Sequence, residues 1–452
     1  MKVIKWSAIA LAVTAASSQL ASAAAFVSDQ ADAKGFVEDA SLNLLLRNYY
    51  FNRDNKHQSN DAIDWTQGIQ GVFTSGFTQG TIGVGVDAFG YLGLKLDGGK
   101  GTTGTNNTVV GDDGEPSDSY GKAGAAVKFR ISKTMLKIGD QQPSTSPVFS
   151  VGGSRLTPQT ATGITLQSSE IKNLDLEAGH FTSATSESQT NRDGNLWSQY
   201  AIGLNGSTDG VSSRSIDYAG GKYAFTDSLT ASLYGAKLDD IWNQYYTNVN
   251  YVLPLADTQS LTFDFNYYKT VDSGSANAGQ IDNNTFSLSA AYAFLSAHTV
   301  TVAFQKVNGN TPFDYVGVGD NNRGADSIFL ANSVQYSDFN GPGEKSAQVR
   351  YDLNMATFGV PGLSFMARYV KGWDIDYSRI SADSAYFSAG RADATDEKHH
   401  ETNLEAKYVI QEGPAKDLSF RIRQAWHSAS SLQADGDANE FRLIVDYPLS
   451  IL

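Results

Sequence analysis

From about residue 40 to the C-terminal Leu452, apolar and polar side chains alternate in short runs separated by glycine-rich or polar breaks. Phe441, Leu443, Val445 and Tyr447 share one parity against Arg442, Ile444 and Asp446, and Phe420, Ile422 and Trp426 oppose Ser419, Arg421, Arg423 and His427. The same holds for Leu363, Phe365, Ala367 and Tyr369 against Ser364 and Arg368, and for Val349, Tyr351 and Leu353 against Gln348, Arg350 and Asp352. Near the start, Leu44 and Leu46 oppose Asn43, Arg47 and Tyr49; later, Val127, Phe129 and Ile131 oppose Lys128 and Arg130. A period of two means strands with one apolar and one polar face. Runs begin near Leu42, Asp64, Gly80, Gly121, Thr134, Gly163, Leu174, Tyr200, Ile216, Leu229, Tyr245, Ser260, Thr285, Thr299, Ser346, Leu363, Thr402, Ser419 and Asn439, nineteen in all. Short breaks such as 224–228 and 255–259 interleave with long polar ones at 98–119, 306–343 and 373–398.

Composition decides where such strands live. Glycine (43), phenylalanine (23) and tyrosine (22) are abundant, and cysteine is absent, so no disulfide staples the fold. No apolar stretch after the first residues is long enough to cross a bilayer as a helix. In lipid every backbone donor and acceptor must be paired within the protein, so a sheet spans only if it closes on itself. The expectation is an all-β, closed antiparallel transmembrane barrel. Single-chain bacterial barrels close with an even number of strands, which points to about 18 and makes the run at Tyr200 or at Ile216 the suspect one. Short turns at one rim and long loops at the other suit an outer-membrane barrel.

The first residues fit an export signal: a basic Met1–Lys5, an apolar run over 6–16, and a small-residue cleavage site at Ala21-Ser-Ala23. Residues 1–23 are read as signal and 24–452 as one barrel domain. Losing Lys2 and Lys5 takes the formal charge from −14 to about −16. Within this acidic chain, the polar faces of the first strands and the last five are rich in arginine and lysine. Arg47, Lys128, Arg130, Arg350, Arg368, Lys407, Arg421, Arg423 and Arg442 would cluster on one side of a closed wall, while the acids gather in loops at 112–118, 374–376 and 393–397. One stretch breaks the pattern altogether. Residues 143–163, PSTSPVFSVGGSRLTPQTATG, have neither strand nor helix period, and a long irregular segment inside a β-pattern is usually functional. It is expected to fold into the lumen and narrow it, with Arg155 at the neck; the plainer alternative is a surface loop.

Longer motifs then point to a family. Leu44-Leu-Leu-Arg-Asn-Tyr-Tyr-Phe-Asn-Arg53, Gly153-Ser-Arg-Leu-Thr-Pro-Gln-Thr160, Leu174-Asp-Leu-Glu-Ala-Gly-His-Phe181, the run 326–343, Leu418-Ser-Phe-Arg-Ile-Arg-Gln-Ala-Trp-His427 and Glu440-Phe-Arg-Leu-Ile-Val-Asp-Tyr-Pro-Leu449 resemble the OprD family of substrate-selective outer-membrane porins. The resemblance implies an 18-stranded barrel of Gram-negative outer membranes, constricted by inward-folded loops and lined by a ladder of basic side chains that conducts small carboxylates. It assigns Arg155 to the constriction and Arg47, Lys128, Arg130, Arg350, Arg368, Arg421, Arg423 and Arg442 to the ladder. Tyr200, Asp326, Ser333 and Asp338 would form the opposing acidic and hydroxyl-bearing side. The partners implied are small anionic or zwitterionic solutes, outer-membrane lipid and lipopolysaccharide; monomer and homotrimer both stay open. One departure is the C-terminus, which ends Ser-Ile-Leu452 where many barrels carry an aromatic residue; Tyr447 is the nearest.

Other chemistries fare worse. Gly83-Val-Gly85 is a strand glycine pair, not a nucleotide loop, and an acidic chain offers no nucleic-acid footprint. A hydrolase triad of His180, Asp239 or Asp240, and Ser327 lacks any nucleophile-elbow context. His399-His400, beside Glu397 and Glu401, reads as a group of solvated loop residues rather than a metal site, and no cofactor or catalytic residue is expected. A barrel acting as adhesin or receptor through its acidic loops remains the third class.

Overall fold

The computed structural model describes residues 25–56, 60–203 and 210–452. The export signal predicted over 1–23 lies outside the described residues. Eighteen strands form one antiparallel sheet: β1 (Ser41–Asn55), β2 (Ala62–Thr74), β3 (Gly83–Asp97), β4 (Ser119–Ile131), β5 (Thr134–Gln141), β6 (Thr160–Ser168), β7 (Leu174–Thr185), β8 (Ile216–Thr226) and β9 (Leu229–Leu238). It continues through β10 (Trp242–Ala256), β11 (Gln259–Asp272), β12 (Asp282–Phe294), β13 (His298–Asn308), β14 (Lys345–Asn354), β15 (Leu363–Ile375), β16 (Glu397–Val409), β17 (Ser419–Ala429) and β18 (Ala438–Ser450). Each strand pairs with the next, and β18 pairs back on β1 from Asn43↔Ser450 to Asn55↔Ala438, closing the barrel. No helix among the described residues is long and apolar enough to cross a membrane; the crossing is made by strands.

The alternation sorts side chains as the period requires. Val349, Tyr351, Phe365, Tyr369, Phe420, Ile422 and Trp426 are exposed on the outer face, whereas Gln348, Arg350, Asn403, His427 and Arg442 are buried on the inner one. Of the two suspect strands, Ile216 starts β8 and Tyr200 does not belong to the wall. The residues before Tyr200 instead enter a small inner sheet whose strands are Arg323–Gly324, Val316–Val318, Leu196–Ser198 and Ser212–Ser213. That sheet ties the long β7–β8 connection to the long β13–β14 connection. Its strands are only two or three residues long, too short for a period to mark them in the sequence.

The long loops fold inward and fill the lumen unevenly. Along β7–β13, inward aromatic residues pack against loop side chains: Phe149 lies 5.0 Å from the Phe181 ring and 6.3 Å from Tyr218. Tyr268 lies 4.8 Å from Phe313 and 4.7 Å from Tyr246. This apolar cluster includes Trp242, Val148, Leu238 and Val316, all fully buried. Along β14–β18 and β1 the inner face is ionic. The apolar cluster thus occupies one side of the lumen, and the ion pairs line the wall opposite it.

Candidate functional site

Between β5 and β6, residues 142–159 cross the lumen. At one end the Tyr268 hydroxyl of β11 donates to the Pro147 carbonyl at 3.0 Å. At the other, the tip closes on itself through Gln159 N–H to Gly152 O at 2.8 Å and Gly152 N–H to Gln159 Oε1 at 2.9 Å. The tip then latches onto β1 and β2. Arg47 Nη1 donates to Gly153 O (2.9 Å) and Arg155 O (2.7 Å), and Gln70 Nε2 donates to Leu156 O (2.8 Å). Leu156 is fully buried among Tyr49, Phe51, Tyr120 and Ile444. Because β11 lies about half the ring away from β1, a segment fixed at both must divide the tube. The irregular stretch is a constriction, and the surface-loop alternative does not hold.

Arg155 projects from this tip, half-buried, its Nε donating to Thr105 O at 3.0 Å. Its guanidinium stands 5.3 Å from the centre of the Phe51 ring, where Arg53 and Arg442 also sit, each at 5.4 Å. Three cations around one ring gain from its negative face but repel one another. Glu440, with no exposed side-chain surface, accepts from Arg53 at 2.6 Å and from Arg442 at 2.5 Å and balances part of that charge. Burial and the neighbouring Arg442 push the Arg155 pKa down. Phe51, Arg53 and Glu440 were not singled out from the sequence, although Arg53 shares the parity of Arg47 and Glu440 that of Arg442.

The other basic residues are paired in turn. Arg47 holds Asp446 through two bonds (2.8 and 3.0 Å), and Arg350 holds Asp352 likewise (2.8 and 2.7 Å). Glu405 lies 2.7 Å from Arg421 and 3.1 Å from Arg423. Arg368 donates to Asn403 Oδ1 at 2.9 Å. The expectation that acids gather in the loops is therefore corrected: Asp352, Glu405, Glu440 and Asp446 share the inward face with the arginines they pair. Lys128 and Arg130 belong to a different neighbourhood. Lys128 pairs with Asp87 at 2.6 Å, while Arg130 bonds Gln30 and Ser28 of the N-terminal segment at 2.9 and 2.6 Å, and both lie over the Phe77 ring.

The acidic side comes together around Asp338. Its carboxylate accepts from Ser333 Oγ at 2.5 Å, Tyr200 OH at 2.6 Å and Tyr315 OH at 2.9 Å. Burial pushes the Asp338 pKa up, and these three hydroxyls pull it back only in part. The segment carrying it is nailed to the wall: Tyr336 and Ser337 N–H groups both donate to Glu401 at 3.0 Å, and Gln335 O accepts from Arg442 at 3.2 Å. Asp326 is held by its N–H to Ser150 O at 2.9 Å, beside Gly152, with its side chain exposed to the lumen. Tyr315 is the member that sequence reasoning missed.

The hydrolase constellation is not assembled. His180 is exposed on the outer side of β7, bonded to Asp217 at 2.6 Å, whereas Ser327 is fully buried inside against Ser150. The reading of His399 as a solvated loop residue is corrected: it lies on β16, 2% exposed, facing inward.

The family described as outer membrane porin, OprD family, matches residues 34–451. Over full length the chain is 64% identical to Porin D of Pseudomonas aeruginosa, with both chains covered entirely. The crystal structure of Pseudomonas aeruginosa OprD superposes with a TM-score of 0.82 at 60% identity, covering 95% of this chain and 100% of that one. That of Pseudomonas aeruginosa OpdK with vanillate superposes at 0.79 and 32% identity, covering 92% and 100%. With a closed 18-stranded tube, a loop across its middle and a charged inner wall, the chain belongs to the OprD family and is an outer-membrane porin of a Gram-negative bacterium, through which small solutes pass.

Proposed function

We propose that this porin gives passive, selective entry to small carboxylate-bearing solutes. One observation carries the reading. Along the open half of the lumen, Glu405 serves both Arg421 and Arg423, and Glu440 serves both Arg53 and Arg442. Arg155 and Arg368 form no ion pair with a described residue. The neck thus carries surplus positive charge inside an acidic molecule. A carboxylate entering it sheds water, and guanidinium forks replace the lost bonds. Arg155, Arg368, Arg421 and Arg423, none of them fully buried, are the groups in this reading that meet solute; Arg350 and Arg442 hold the wall's shape, Arg130 holds the N-terminal segment, and Lys128 ties Ser75 to Asp87. Asp326 and Asp338 make the field transverse, which favours solutes with a second, polar or cationic end. The vanillate in the OpdK structure is a carboxylate, in keeping with this class. The finer points of the reading are residues 1–23 as a cleaved export signal, lipopolysaccharide around the long-loop rim, and self-association as a trimer.

Planar-bilayer recording under opposing salt gradients tests it. Arg155→Ala and Arg421→Ala should each lower the anion-to-cation permeability ratio and the current carried by benzoate-sized carboxylates several-fold. An adhesin or receptor barrel predicts no ion preference at all. Wild-type selectivity retained in both variants removes the assigned site.

A further inference from the structure

At the long-loop rim, where β16 and β17 approach the segment carrying Asp338, two histidines meet. His399 Nδ1 lies 2.9 Å from His427 Nε2, and the two side chains are 2% and 3% exposed. The other nitrogen of each ring is already committed. His427 Nδ1 is 2.6 Å from the Gly436 carbonyl, which only accepts, so that nitrogen carries the proton and Nε2 keeps a lone pair. His399 Nε2 is 2.7 Å from the Glu344 carboxylate, which in its ionised form also only accepts, so Nε2 carries a proton and, in the neutral ring, Nδ1 keeps a lone pair as well. Two lone pairs then face each other in a buried site, an arrangement that is costly unless a cation stands between them.

Asp435 supplies a third donor. Its Oδ2 is 3.7 Å from His399 Nδ1, and one ligand atom from each of the three residues falls within 4.8 Å of the others. Among the described residues neither Asp435 nor Glu344 is paired with lysine or arginine. Two carboxylates and two neutral imidazoles therefore leave a charge that one divalent ion would cancel. Imidazoles that donate their second N–H to a carboxylate and to a backbone carbonyl are the usual support of metal-bound histidine. Metal–nitrogen bonds of about 2.0–2.1 Å at a tetrahedral angle put the nitrogens about 3.3 Å apart, a few tenths of an ångström wider than here. A cleft of about 120 Å³, lined in part by His399, Glu344 and Asp435, opens on the site and leaves room for water as fourth ligand.

We propose that His399, His427 and Asp435 bind a divalent transition-metal ion of the zinc class, with Glu344 orienting His399. The ion acts as a staple rather than a catalyst. Asp435 accepts from Ser337 Oγ at 2.6 Å, and the Phe339 ring packs 4.2 Å from His399, so the ion fastens the Asp338 segment to the wall.

The test uses the whole folded barrel in detergent, chelator-treated and then titrated with Zn2+ by calorimetry and with Co2+ by visible absorption. One equivalent should bind with micromolar or tighter affinity, and Co2+ should give the intense bands of a tetrahedral site. His427→Gln and Asp435→Asn should each weaken binding at least tenfold, while His180→Gln, on the outer wall, should leave it unchanged. Gel mobility of the unheated barrel confirms closure of each variant, and Asp435, lying outside the strands, gives a second variant should His427→Gln fail to close. Absence of one-equivalent binding means the histidines share a proton and overturns the proposal. So does binding equally tight in the closed His427→Gln and Asp435→Asn variants.

Discussion

The latch between Arg47 and the constriction tip can be released without touching Arg155. Arg47→Ala removes two charge-assisted hydrogen bonds to the carbonyls of Gly153 and Arg155, and frees Asp446. Bonds from a charged donor contribute about 1.5–3 kcal/mol each. Gly153 and Ser154 are exposed, so water can replace part of what is lost, and the lower end applies. About 3 kcal/mol for the pair shifts the ratio of latched to released tip by about 100-fold. Gln70 and Asn107 still hold Leu156 and Thr105 still accepts from Arg155 Nε, so only the backbone of residues 153–155 is loosened and the barrel is untouched. Single-channel recordings of Arg47→Ala should show higher conductance and frequent short transitions between sublevels. Arg47→Lys separates geometry from charge. One ammonium cannot hold both Asp446 oxygens and two carbonyls at once, so noise should rise while anion preference stays near wild type. If both variants give quiet currents of wild-type size, the latch does not set the aperture and the reasoning fails.

Two further perturbations follow from the same geometry. Glu440→Gln leaves the buried Arg442 and the half-buried Arg53 around Phe51 without their shared counter-ion. Breaking such a buried pair costs about 3–5 kcal/mol, so the temperature at which the barrel loses its fast gel mobility should drop; an unchanged midpoint would show that Glu440 is dispensable. The second concerns acidity. Because burial raises the Asp338 pKa, its charge is lost, as pH falls, before that of exposed acids. Anion preference should therefore climb on mild acidification in wild type, and the step should vanish in Asp338→Asn, which sits at the high level throughout. A step of equal size in that variant would place the titrating group elsewhere.

The wall was legible because lipid imposes a rule on every second side chain, and that rule survives in a single sequence as the alternation at Phe420, Ile422 and Trp426 or at Leu363, Phe365 and Tyr369. The constriction was legible because it breaks the rule: 143–163 has no period and yet carries Arg155. What parity cannot give is a partner. It places Glu440 and Arg442 on one face but says nothing of Arg53, which meets Glu440 across 387 positions of chain only once the barrel closes. For the same reason Glu405 and Glu440 went unnoticed as counter-ions, although Asp352 and Asp446 already shared a face with arginine. The suspect run at Tyr200 could not be told from the one at Ile216, because the inner-sheet strands before Tyr200 are too short for a period to mark them. His399 was misread because its neighbours Asp396, Glu397 and His400 are polar, and a buried histidine leaves no mark on composition.

The pairing of the arginines bears on how the neck can select without trapping. A bare guanidinium in a narrow lumen would bind a carboxylate deeply, since little water remains to compete. Most of the arginines already rest on a carboxylate, and Glu405 and Glu440 each hold two. An arriving solute must therefore take over bonds that Glu405 made with Arg421 or Arg423, and Glu405 recovers them when the solute leaves. Exchange of this kind makes each site shallow, and several shallow sites in series let an anion depart as readily as it enters. Glu405→Gln consequently separates affinity from flux. It should bind carboxylates more tightly, seen as longer current blocks, and carry them more slowly. Faster carboxylate current in Glu405→Gln would mean that the inner-wall acids only oppose entry and that the exchange argument is wrong.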